Sequence, residues 1–362
     1  MPSPYQGDFF RELTQRPQVD LRVVFAEKIE PMRIGLGWTE SGQGYHATFL
    51  AHPKDILRAV RIAWAQRDRV HVVNGMWATP AFFCATVLLF LVGADVFFHA
   101  ETSDPREYRT GLRIAVRNFI GRVFLNRSRG IFAISQLAER FYASIGARPA
   151  HIYPFAYFKA HRFLAKADAG AGLREILFVG QLIERKGVIE LLEAFRRLVR
   201  ETPARLTFVG TGPLDERLRG IVAEAGLMDS VRFEGAVSSS LIDERIRQSD
   251  VLVLPSQFDG WGLVINEALV SGVPVVLSSN CGAADLVLEP SAGRVFPVGD
   301  IDALMRALQA VLQGGLRPNP LAWRDRIGLA VAVDYFLGCL DYGRGQSAQK
   351  PQVPWRNPDR SA

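Results

Sequence analysis

The chain has 362 residues, of which 48% are hydrophobic and 22% charged, with a net charge of +6. That length accommodates two domains of ordinary size and that apolar share builds a core in each, which excludes a disordered chain. Cys84, Cys281 and Cys339 lie far apart, with no CxxC pair and no neighbouring His at ligand spacing, which excludes a zinc site and reads as reduced packing residues of a cytoplasmic protein. Residues 1–165 hold 21 basic and 13 acidic side chains and the remainder 22 and 24, so the front half is the basic one.

In chain order, PSPYQGDFFREL begins on a turn and enters a helix at once, with no charged and apolar leader of the secretory kind. An alternating fold should open on a strand, and none precedes this turn. The absent strand would be a central one, and its loss is expected to destabilise the front domain; either the true start lies upstream or a later segment fills the gap. The runs LRVVFA, VHVVN, DVFFHA and GIFAIS follow as strands between helical patterns. Ala81 to Phe98 is the longest apolar run, but Gly93 and Asp95 interrupt it, so it predicts a buried helix and then a buried strand instead of a membrane span. Arg109 to Gly130 predicts a basic amphipathic helix, with Arg109, Arg113, Arg117 and Arg122 among Leu112, Val116, Phe119, Ile120 and Val123. Such a helix fits an anionic membrane surface, or equally a solvated face over a core stripe. No nucleic-acid motif or aromatic platform accompanies the arginines, so nucleic acid is not expected as a partner.

Ala165 to Gly172 is a small-residue stretch that reads as a linker. Beyond it EILFVG, RLTFVG, VRFEG, VLVLP and VPVVLS alternate with helices again. This pattern predicts an α/β protein of two doubly wound, Rossmann-like domains facing a cleft, with ligands outside the carboxyl ends of the strands. The expected division is 1–165, 173–320, a helix over 321–342 returning toward the front domain, and a disordered tail over 343–362, where the composition is polar and Pro-rich.

The strand ends of the second domain carry the chemistry. Arg185 and Lys186 precede Gly187 after the first strand; Gly210 and Gly212 follow the second and leave room for a ligand at the backbone; SQFDGWG follows the fourth. Basic and glycine-rich ends suit an anion of several phosphates. Asp259 and Glu267 would repel it, so they need another partner, and vicinal hydroxyls are the obvious one. Phosphates flanked by two readers of diols describe a nucleotide sugar.

Residues 178–287 resemble the donor half of glycosyltransferase family 4, which has the GT-B architecture. The residues that carry the resemblance are Asp259, Gly260, Trp261, Gly262, Glu267, Ala268, Gly272, Pro274 and Val275, with FVGQLIERKG, FVGTGP and FEGAV in the family's order. The resemblance implies a retaining, metal-independent glycosyltransferase that moves a sugar from a nucleotide-sugar donor to a glycan or lipid-linked acceptor in cell-surface polysaccharide assembly, with no cofactor. It implies Lys186, assisted by Arg185, on the diphosphate, Glu267 on the ribose, and Asp259 with the amides of Trp261, Gly262 and Leu263 on the sugar and phosphate. In the front domain His99 falls where the family carries a histidine near the reacting sugar, and Glu101 is the alternative. Gln181 stands where the family usually has Arg, and Asp259 where it usually has Glu. Two rival readings remain: a catalytically impaired nucleotide-sugar-binding protein, and a Rossmann-type oxidoreductase, against which VGTGP lacks the full GxGxxG fingerprint.

Overall fold

The computed structural model describes residues 2–29, 44–50, 52, 55–102, 112–160, 173–287 and 289–356. They fall into two units, Met1–Ala160 with Leu329–Pro354, and His161–Gly328 with Trp355–Ala362. The stretch expected as a linker, 165–172, lies outside the described residues, as does Arg109.

In the first unit, helix α1 (Pro4–Thr14) starts on Ser3, whose hydroxyl accepts from Gln6 N at 3.4 Å, and on Pro4 in its first turn, where the missing N–H costs nothing. Strands β1 (Arg22–Phe25) and β2 (His46–Phe49) pair in parallel. Helix α2 (Ile56–Ala65) leads to β3 (Val70–Val73). Helix α3 (Pro80–Leu91), capped by Thr79 and again opened by proline, leads to β4 (Asp95–Ala100). The apolar run thus divides into helix and strand as its Gly and Asp require, although Leu91 is 79% exposed instead of buried. Helix α4 (Leu112–Arg127), β5 (Gly130–Ile134), α5 (Ser135–Ser144) and β6 (Ile152–Phe155) complete this part.

The strands of this unit form two separate sheets, β1-β2 and β3-β4-β5-β6, all pairs parallel. Arg69 bonds the Asp20 carbonyl at 3.2 Å and pairs with its carboxylate at 2.6 Å, bringing the approach to β1 beside the approach to β3. Among the described residues no strand pairs with β1 on the side away from β2, or with β3 on the side away from β4. Among the described residues the two sheets therefore remain separate. Val72 in β3 is 40% exposed, where parallel strands are ordinarily covered on both faces.

In the second unit β7 (Arg174–Val179), α6 (Val188–Leu198), β8 (Ala204–Val209), α7 (Asp215–Glu224), β9 (Val231–Gly235), α8 (Ser239–Gln248), β10 (Val251–Leu254), α9 (Val264–Val270), β11 (Val275–Ser278), β12 (Gly293–Phe296), α10 (Ile301–Gly314) and α11 (Pro320–Ile327) follow one another. The sheet runs β12-β11-β10-β7-β8-β9, all parallel. Strands β7 to β9 wind one way and β10 to β12 the other, so the order reverses between β7 and β10. The apolar runs of the inner strands β7, β8, β10 and β11 are largely buried as a doubly wound sheet demands, with Phe178 5.6 Å from Phe208 and Phe208 stacked 5.2 Å from Phe233 of the edge strand β9.

The C-terminal end departs from expectation. The stretch expected as one helix over 321–342 is two: α11 stays in the second unit, while α12 (Leu329–Gly343) belongs to the first, the unit toward which the helix was expected to return. Its Phe336 ring lies 4.6 Å from Phe132 and 5.5 Å from Phe9, and Asp334 pairs with Arg16 at 2.9 Å. The segment expected to be disordered is ordered over 344–356. Arg344 pairs with Asp95 at 3.0 Å, Lys350 donates to the Ile152 carbonyl at 2.8 Å, and Arg356 pairs with the buried Asp285 at 2.9 Å. Trp355, 1% exposed, supplies the apolar anchor that the polar composition concealed.

Candidate functional site

The reversal of strand order in the second unit is where an open parallel sheet offers a crevice beyond its carboxyl ends. The residues after β7 and after β10 meet there. Glu184–Lys186 form a single 3₁₀ turn ended by Gly187 in the left-handed region at φ 66°. A Cβ at Gly187 would lie 2.2 Å from the Pro255 carbonyl oxygen, so only glycine lets this turn press against the end of β10. Gln257 N donates to Arg185 O at 2.8 Å and the Arg185 guanidinium donates to Phe258 O at 2.7 Å. Arg185 is thereby committed to holding the two loops together. Lys186 is left to point at the Asp259 carboxylate, and the two form a tight ion pair, each side chain about 15% exposed.

The turn that carries Asp259 is clamped by the loop after β11. Asp259 N donates to Asn280 O at 3.0 Å, Gly282 N to Asp259 O at 2.9 Å, and Ala283 N and Cys281 Sγ donate to Trp261 O at 2.7 and 3.0 Å. Burial, with Asp259 nearby, holds the Cys281 thiol far above its ordinary value, so it serves as a neutral donor. The Trp261 ring is 2% exposed and its Nε1 donates to the buried Asn266 Oδ1 at 2.9 Å. The side chain of Trp261 therefore packs inward, and only its backbone faces the loop. Gly262 has φ 89°, and a Cβ there would meet Leu254 Cδ2 at 2.6 Å and Cys281 Sγ at 2.8 Å. Gly260 and Leu263 flank it half-buried, and Glu267 follows on the short α9, 9% exposed.

Three of the expected residues are engaged by the chain itself. At Gly210 and Gly212 a Cβ would lie 1.9 Å from Gly180 O and 2.4 Å from Leu182 O respectively, so the chain's own backbone requires glycine at both. Their missing side chains are used by the protein's own backbone, with Leu182 N donating to Thr211 O at 2.9 Å and Leu214 N to Leu182 O at 3.1 Å. Arg185 turns to Phe258 O, so of the two basic residues Lys186 is the one placed beside the acid. Gln181 is exposed at the end of β7.

His99 and Glu101 belong to the first unit and are described there by themselves. His99 ends β4 half-buried, its Nδ1 accepting from the Asn74 amide at 3.2 Å and its ring 5.5 Å from Phe155. Burial pushes its pKa down to about 4, so the imidazole is neutral near pH 7. The exposed Glu101 accepts from the Tyr157 hydroxyl, and its carbonyl from Tyr142 Oη at 3.1 Å. Burial, and after it the Glu101 charge, raise the Tyr157 phenol well above its usual range. Sequence reading missed Asn74, Tyr157, Asn266 and Cys281; the last two stand inside or beside the motif, while the first two lack any local signal. Among the described residues no group of three or more His, Cys, Asp or Glu is arranged to hold a metal ion, and no helix is long and apolar enough to cross a membrane.

Comparison with known proteins gives concordant results. Over 146 residues the chain is 32% identical to the putative colanic acid biosynthesis glycosyltransferase WcaL of Escherichia coli K12, covering 38% of this chain and 36% of that one. It is 24% identical to the N-acetyl-alpha-D-glucosaminyl L-malate synthase of Bacillus anthracis over 291 residues, 76% of this chain and 74% of the relative. Several first-ranked curated relatives are matched over less than half of their own length. In fold it is similar to Anabaena Alr3699/HepE in complex with UDP-glucose, with a TM-score of 0.69 at 15% identity over 94% of this chain and 97% of that one. The chain thus has the GT-B fold of two Rossmann-like domains, and its residues 163–325 match the family described as glycosyl transferases group 1.

Proposed function

We propose that this protein is a glycosyltransferase of family 4 that moves a sugar from a nucleoside diphosphate donor to a glycan or lipid-linked acceptor in polysaccharide assembly, with retention of configuration and without a metal. The observation that carries the reading is the Lys186–Asp259 pair at the reversal of strand order, held on a turn whose glycine and buried tryptophan fix its course. An ammonium and a carboxylate so placed can exchange partners when a donor arrives. Lys186 turns to the diphosphate oxygens and Asp259 to the sugar hydroxyls, while Glu267 takes the ribose diol. The match over 163–325, the UDP-glucose of Alr3699/HepE and the colanic acid assignment of WcaL support this reading.

In the transfer step the acceptor oxygen bonds to the anomeric carbon as the bond from that carbon to the phosphate oxygen breaks. The electron pair leaves with the nucleoside diphosphate, and the acceptor proton passes to the leaving phosphate on the same face. Lys186 stabilises the charge that develops on that phosphate. His99, neutral near pH 7, offers hydrogen bonding to the sugar without added charge, with Glu101 as the alternative. The proposed setting is the cytoplasmic face of a membrane, where a lipid-linked acceptor would lie.

Thermal melting against UDP, GDP, ADP and NAD, without and then with magnesium, tests the reading. A rise with one nucleoside diphosphate in metal-free buffer supports it and names the donor class. A rise with NAD alone favours an oxidoreductase, and an inverted product anomer by NMR overturns retention.

A further inference from the structure

A second surface of the first unit is unexplained by its fold. On α2 the residues turned inward are Ala59 and Ala63, with Ile56 and Ile62 half-buried against Leu50, Ala81 and Phe82. Leu57, Arg61 and Trp64 stand at helical spacings of four and three on the outward side, with Arg58 beside them. Leu57 is 70% and Trp64 53% exposed, and the two arginines are exposed as well. Just past the helix, the Arg67 guanidinium lies 4.9 Å from the centre of the Trp64 ring and donates to the Trp64 carbonyl at 3.0 Å. The buried Ala63 and Leu89 join one cluster, which brings together the last turns of α2 and α3, so Trp64 and the 79% exposed Leu91 emerge at the same end.

An outward helical face carrying a leucine and a tryptophan among arginines gains nothing from water. It suits a boundary where an apolar layer underlies anionic groups: the indole and leucine enter the acyl boundary while the arginine stems lie along it and their heads meet phosphates. The charge balance agrees. Among the described residues the acids next to this face in sequence are Asp68, 3.9 Å from Arg67, and Asp55 at the helix start, which accepts from His52 N at 2.9 Å, against the three cations Arg58, Arg61 and Arg67.

We infer that the outward face of α2, with Leu57, Arg58, Arg61 and Trp64 at its centre, docks on an anionic lipid surface. This rests on the membrane partner proposed above, not on the transfer chemistry, and it places the principal contact on α2 instead of α4.

The test is flotation of the full chain with vesicles of phosphatidylcholine alone and of phosphatidylcholine mixed equally with phosphatidylglycerol. The chain is expected to float with the mixed vesicles only and to be released by high salt. The Leu57→Ser/Trp64→Ser and Arg58→Gln/Arg61→Gln pairs should each lower the bound fraction about tenfold or more. Val116→Ser/Phe119→Ser should bind as the parent does. Unchanged melting temperature and unchanged response to nucleoside diphosphates keep folding and the donor site out of the result. Failure to float with mixed vesicles, loss confined to the α4 pair, or an α2 pair that alters self-association instead of flotation overturns the inference.

Discussion

The Trp261 indole and the Asn266 amide form a buried hydrogen bond of 2.9 Å across five residues, joining the turn that bears Asp259 to the helix that bears Glu267. Replacing Asn266 with Leu keeps the volume but strands the indole N–H, and the expected cost is about 2 kcal/mol, read as a lower midpoint in urea. Trp261→Phe combined with Asn266→Leu should recover part of that loss. A double variant no better than Asn266→Leu would mean that the hydrogen bond is not what couples the two elements.

Lys186→Ala removes the cation and leaves Asp259 charged and largely covered. Stabilisation by a nucleoside diphosphate should vanish in the melting assay. Lys186→Ala/Asp259→Ala should melt closer to the parent than Lys186→Ala does, because the orphaned charge is gone, yet remain blind to the nucleotide.

Glycine substitutions should separate strain from collision. At Gly226 φ is 67° and nothing stands within 4 Å of the added carbon, so Gly226→Ala should cost only about 1 kcal/mol. Gly210→Ala adds a carbon 1.9 Å from a fixed carbonyl and should cost several times more, by chemical denaturation.

The burial that takes His99 from its ordinary 6.5 to about 4 makes stability depend on pH. The unfolded chain binds the proton first, so this contribution is complete above pH 6.5 and is lost as the pH falls toward 4. The full shift corresponds to about 3 kcal/mol, which solvent screening at this half-buried ring lowers to about 2 kcal/mol. His71, whose pKa burial also lowers, adds in the same direction, so the slope belongs to His99 only as the difference from His99→Gln.

Much of the fold was legible because buried parallel strands must be written in continuous apolar runs, and all nine runs singled out are strands. The strands not singled out, β2, β6 and β12, are those where HATF carries a polar start, IYPF contains a proline and GRVF is brief. Strands β6 and β12 are sheet edges, where a proline or a short run is tolerated. The motif identified both Lys186 and Asp259 but not that they pair, since 73 residues separate them and only the reversal of strand order joins them. At Gly210 and Gly212 a missing side chain signals close approach, and the sequence does not say that the chain's own backbone is what approaches on the Cβ side. Trp355 was hidden by its polar neighbours, whose charges have specific partners far away in sequence.

The two units also differ in when their chain becomes available. The core segment of the second, 161–328, is continuous, whereas the first needs Leu329–Pro354 to set Phe336 against Phe9 and Phe132. During synthesis the earlier-made unit therefore stays open until α12 emerges. Its aromatic face waits uncovered while the whole of 161–328 is translated, an interval of some ten seconds or more at about 5–20 residues per second in which chaperone capture competes with closure.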